Sequence, residues 1–144
     1  MKILLPISFI LFFLLSCSSN KEEPLPPGYK TACSNFLVDL GIKSDKLIFT
    51  GCTNGIGFGT NLPAQTASYK ISGKDVKFVE QMLISRFKIL PLKFACCGWD
   101  TPPTFFQEDN IYYTVWMSSD ETLEKDWDKI QHFYVNVEKM WESP

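Results

Sequence analysis

The stretch "NIYYTVWMSS", residues 110–119, decides the fold. Ile111, Tyr113, Val115 and Met117 alternate with Tyr112, Thr114 and Trp116. A period of two is the signature of a β-strand with one face on a core. The first set, apolar apart from one tyrosine, is expected to lie under helices. The second set is expected on the opposite face, beside Tyr134 and Asn136 of the last strand if the two strands pair. Large, stiff side chains with polar tips on an open face have the composition of interface anchors.

Working outward, "HFYVNVEKM" (132–140) alternates in the same way and reads as a strand. Between the two, Ser118 and Glu121 have capping-box spacing, and Leu123, Trp127 and Ile130 recur as on a helix. A helix is expected there. Upstream, "DTPPTFFQED" (100–109) reads as a loop and "ILPLKFACCGW" (89–99) as a single strand. "KDVKFVEQMLISRF" (74–87) places Val76, Val79, Leu83 and Phe87 on one helical face. "ASYKIS" (67–72) and "KLIFTGC" (46–52) read as strands, and "TNGIGFGTNLPAQT" (53–66) as a loop. "TACSNFLVDLG" (31–41) reads as a helix, with Cys33, Phe36, Leu37 and Leu40 on its apolar face. The expected class is α+β: an antiparallel sheet with helices on one face. The series β-α-β-β-α-β is ferredoxin-like, preceded by a helix and a strand. The opening helix, tied down through Cys33, is a competing cover for the aromatic face.

The N-terminus sets the compartment. "MKILLPISFILFFLLSCSSN" has one cation, Lys2, then an apolar run from Ile3 to Leu15. The run is shorter than the roughly 20 residues a spanning helix needs. It has the form of a secretory leader. Its ending, Leu14-Leu15-Ser16-Cys17, resembles a bacterial lipobox, which implies cleavage after residue 16 and lipidation of Cys17. Ser18, rather than Asp, implies the outer membrane, facing the periplasm. Residues 17–29 hold Pro24, Pro26 and Pro27 among charged residues and form a tether. Residues 30–144 suffice for one domain.

Cysteine usage follows from that. Apart from Cys17 there are four: Cys33, Cys52, Cys96 and Cys97. In an oxidising compartment an even set reads as disulfides. Cys33 with Cys96 and Cys52 with Cys97 is the favoured pairing, because adjacent cysteines make a strained ring. The pairing Cys33–Cys52 stays open, since helix 31–41 and strand 46–52 bring both to one end. Zinc has no Cys-x₂-Cys pair and only one histidine, His132. "GIGFG" (55–59) lacks the third glycine of a dinucleotide loop, because residue 60 is Thr, and no helix is expected after it. No catalytic set, metal site or cofactor site is expected.

The chain has 14 basic and 16 acidic residues without a basic run, so nucleic acid is not an expected partner. Residues 100–144 hold 3 basic against 10 acidic side chains, a balance suited to a basic partner. Trp99, Phe105, Phe106, Tyr112, Trp116 and Tyr134 are the candidate partner-binding residues.

Cys33 with "FLVDLG", "FTGC" (49–52), "YKISG" (69–73), Glu80, "CCGW" (96–99) and "MSSDET" (117–122) with Trp127 form a run that resembles a family of small bacterial lipoproteins with a domain of unknown function and a Cys-Cys-Gly-Trp motif. The resemblance implies one disulfide-bearing domain and says nothing about activity. The expectation is a non-enzymatic envelope lipoprotein, held at the membrane by its lipid, that binds a protein. The alternatives are a periplasmic immunity or inhibitor lipoprotein, and an envelope enzyme with unrecognised residues.

Overall fold

A computed structural model describes residues 33–141. The expected leader (1–16), the lipidated Cys17 with its tether (17–29), and residues 30–32 and 142–144 lie outside them. The elements run α1 (Phe36–Asp39), β1 (Ile48–Ile56), β2 (Pro63–Ser72), α2 (Val76–Phe87), β3 (Lys93–Ala95), β4 (Gly98–Asp100), β5 (Thr104–Glu108), β6 (Ile111–Ser119) and β7 (His132–Met140). The class is α+β, with far more strand than helix. One sheet has the order β1-β2-β7-β6-β4-β3, and β5 pairs with β6. Every recorded strand pair is antiparallel.

The ferredoxin-like arrangement is not what forms, because its second helix is missing. Residues 120–131 are an extended connector with a single 3-10 turn at Trp127–Lys129. Polar side chains there take the backbone donors a helix would use. Glu124 Oε1 accepts from the N–H groups of Lys125 and Asp126, and Asp126 Oδ1 accepts from the Asp128 N–H. Leu123, expected on the inner stripe, is 78% exposed. With no crossing helix, β7 turns back beside β6 and slots between it and β2.

Four further boundaries differ from expectation. β1 and β2 run on into the loop expected at 53–66 and leave only 57–62 between them. The strand expected at 89–99 is a hairpin, β3–β4, whose two-residue turn is Cys96-Cys97. The loop expected at 100–109 contains β5. It pairs with β6 through the turn Asp109-Asn110, both at positive φ (50° and 61°), the geometry of a tight hairpin turn. Pro102 and Pro103 have no N–H to give, so β4 and β5 stay separate on the same edge of β6. Thr101 fills the gap: its N–H donates to the Met117 carbonyl, and its Oγ1 accepts from the Met117 N–H. The opening helix is one turn, α1. Its Asn35 cap accepts from the Val38 N–H, and the Tyr69 hydroxyl accepts from the Leu37 N–H.

Both helices lie on the same face of the sheet. Val76, Val79, Leu83 and Phe87 of α2 meet Ile71, Tyr113, Val115, Met117, Phe133, Val135 and Val137 in one core. The expectation for Tyr113, Val115 and Met117 holds: all three are buried there. Each such aliphatic or aromatic side chain contributes roughly 1.5–3 kcal/mol on burial. Glu80 is buried on α2 and accepts from the Leu92 N–H at 2.7 Å, which ties the helix to the segment entering β3.

Candidate functional site

The strand registers set out the other face as a grid. Asp100, Ser118, Tyr134 and Lys70 form one row; Trp116, Asn136 and Ser68 the next; Phe105, Thr114, Glu138 and Thr66 a third. Neither helix covers it. α1 sits on the core face, held by Tyr69 and by the Cys33–Cys52 disulfide, whose Cα atoms are 5.5 Å apart. The competing cover is therefore absent.

A different segment closes part of the face. The loop after β1 folds back over the sheet. Phe58 packs against Trp116 with ring centroids 5.7 Å apart, and its N–H donates to both oxygens of Glu138 at 2.9 Å. Gly57 is needed for this approach: a Cβ there would crowd Met140 Sδ and Thr60 Oγ1, each at 2.8 Å. Gly59, at φ +69°, turns the chain back. The sequence places these glycines in a loop and does not single out Phe58. The signal available was an isolated phenylalanine inside a glycine loop.

Beside this clasp lies an open cleft of about 440 Å³. Phe58, Trp116, Pro102 and Pro103 wall it, and Asp100 and Ser118 supply polar groups. Phe58 is 52% exposed and Trp116 is half-buried. An aromatic wall beside a carboxylate suits a cationic or extended polar group.

Of the six expected binding residues, four share this face. Trp116 lines the cleft. Tyr134 lies along the row of Ser118, its hydroxyl donating to Asp120 Oδ2 at 3.2 Å. Tyr112 and Phe105, the latter 53% exposed, lie toward the far end of β6. The other two are on or near the core. Phe106 stacks between Phe87 and Tyr113, at 4.9 and 5.3 Å. Trp99 packs edge-on to Phe94 and Trp127, and its Nε1 donates to the Glu124 carbonyl. It pins the connector.

The favoured cysteine pairing is corrected. Cys33 bonds Cys52, and Cys96 and Cys97 are exposed free thiols. β1 and β4 stand four strands apart in the sheet order. That is about 19 Å at the usual spacing, beyond disulfide reach.

Glu138 is 2% exposed and sits between Thr66 and Thr114 on the neighbouring strands, with Gly57, Phe58 and Thr60 above it. Burial pushes its carboxyl above the usual range, and the Phe58 N–H opposes that. An acid with a raised folded pKa favours the fold most when protonated. Its contribution is full below pH 4.5 and is lost as pH rises through the folded value. Glu138→Gln keeps an oxygen for the Phe58 N–H and removes the charge. We expect it to be more stable than the parent at pH 7, with a flatter stability profile above pH 4.5. Urea midpoints across pH test this; an unchanged profile would show that Glu138 titrates normally.

Among the described residues, no group of three or more His, Cys, Asp or Glu is placed to hold a metal. No helix among them is long and apolar enough to cross a membrane.

A family model matches residues 20–99, more than half of the chain, and the chain belongs to that family, DUF4952, a domain of unknown function. No curated protein and no solved structure matches the chain. The match ends at Trp99, whereas β6 and β7 stand between β2 and β4. The central strands of the sheet therefore come from residues beyond the matched region.

Proposed function

We propose that this member of the DUF4952 family is a non-enzymatic lipoprotein of the bacterial envelope. Cys17 anchors it, at the outer membrane facing the periplasm, and its helix-free face docks a protein. The leader and lipobox-like Leu14-Leu15-Ser16-Cys17 support the anchor. The Cys33–Cys52 bond suits an oxidising compartment. One observation carries the binding reading: Phe58 and Trp116 stand partly exposed in an open cleft with Asp100, on the face that neither helix covers.

A narrower form is an inhibitor or immunity protein. Asp100 in the cleft and Asp120 against Tyr134 favour a basic partner surface, such as the rim of a toxin's active site.

The full chain, tagged at its C-terminus in its own cells, tests both parts. Cys17→Ser is expected to lose the label from fed palmitate; equal labelling of variant and parent would end the anchor reading. Trp116→Ala is expected to release the partner captured by the parent while its melting temperature changes by only a few degrees. Unchanged capture would remove the cleft from consideration.

A further inference from the structure

We infer that Cys96 and Cys97 form a redox-active pair that closes to a vicinal disulfide by thiol–disulfide exchange and reopens to incoming thiols. They are the two turn residues of the β3–β4 hairpin, and both are exposed. Among the described residues no other cysteine is open to them, because Cys33 and Cys52 are bonded to each other.

The backbone marks the site a second time. Cys96 is held at φ 51°, the left-handed region that a turn usually fills with Gly or Asn. A side chain with a Cβ is strained there. The hairpin keeps that strain because its tip is tied down: the Cys97 carbonyl accepts from the Thr122 N–H at 2.7 Å, and the Trp99 N–H donates to Ser119 Oγ at 2.9 Å. The turn is thus fixed while the sulfurs remain free to react.

Consecutive Cα atoms are about 3.8 Å apart. That is shorter than the usual disulfide span, so the closed ring is strained. Strained, exposed disulfides are the labile ones. Interaction with the adjacent Cys96 sulfur, burial and the nearby Glu121 carboxylate hold the Cys97 thiol above its usual pKa. Cys96, the exposed residue held in the left-handed region at the turn, makes the first attack. Its thiolate displaces one RS⁻ from an oxidant R–S–S–R and leaves a mixed disulfide. Cys97 sulfur then attacks the Cys96 sulfur, the Cys96–Cys97 bond forms, and the second RS⁻ departs. The two thiol protons end on two RSH, and two electrons pass from the protein to the oxidant. A small-molecule disulfide or a protein disulfide of the periplasm fills the role of R–S–S–R.

The full chain in detergent micelles is treated with excess oxidised glutathione, quenched in acid, alkylated with N-ethylmaleimide and digested with trypsin. Cys96 and Cys97 share the peptide Phe94–Lys125, whereas Cys33 and Cys52 fall on two others. The parent peptide is expected two hydrogens light, with neither glutathione nor alkyl groups. Cys97→Ser is expected to keep one glutathione on Cys96. A parent peptide that retains glutathione, is alkylated on both sulfurs, or is linked to a second copy would overturn the inference. The parent result decides the matter even if the variant does not fold.

Discussion

Gly73→Ala is expected to lose more than about 3 kcal/mol, the upper end for overpacking, and to yield little folded protein. Gly73 is buried at the start of the turn that leads into α2. Its φ is not in the left-handed region, so backbone freedom is not the reason for glycine. The reason is space. A Cβ would collide with the carbonyl oxygens of Trp127 and Ile130. These are backbone atoms and cannot rotate aside as a side chain can. The connector 120–131 would have to lift from the sheet. That would take Trp127 away from Trp99 and Phe133, 5.3 and 6.1 Å from it, and expose Ile130. Gly55→Ala is the control: a Cβ there meets nothing within 4 Å, and its change is expected within about 0.5 kcal/mol. Urea unfolding of both measures the difference. A Gly73→Ala midpoint equal to that of Gly55→Ala would mean that the connector does not rest on Gly73.

Cys33→Ser is expected to cost about 3 kcal/mol, from the loop entropy that the bond to Cys52, 19 residues away, removes from the unfolded chain. The native loss is local. α1 has four residues, far too few to persist alone. The disulfide, the Asn35 cap and the Tyr69 hydroxyl hold it on the core. Burial pushes the Tyr69 phenol up to about 12, so that hydroxyl keeps its proton through the ordinary pH range. Loosening residues 33–42 would expose Phe36, Leu37 and Leu40. Amide exchange is expected to rise in that segment first, while β6 and β7 stay protected. Equal exchange throughout would show that the bond stabilises the whole sheet and not its edge.

These two sites differ in how visible they were. The pairing of Cys33 with Cys52 stayed open in the sequence because both cysteines fell near one end of a short helix–strand unit. Strand order decided it by carrying Cys96 and Cys97 to the far side of the sheet. Gly73 gave no local signal, since its neighbours Trp127 and Ile130 are more than fifty residues away.

Alternation was enough to place Val115 and Met117 on the core face and Trp116 on the other, because a strand's side-chain period is a local property of the backbone. The same holds for α2, whose stripe Val76, Val79, Leu83 and Phe87 is buried as its spacing requires. Only the tertiary structure settled residues 120–131. Helical spacing and a capping box pointed one way, while Glu124, Asp126 and the Trp99 indole bonded the backbone into an extended path. The Asp109-Asn110 turn was legible in principle, but Pro102 and Pro103 masked the strand between them. Phe58 reached Trp116 and Glu138 through a register and a fold-back loop that no short window contains. Periodicity reports which face a residue takes on its own element. Which element lies across that face depends on partners distant in sequence, so the cleft existed only once the chain had folded.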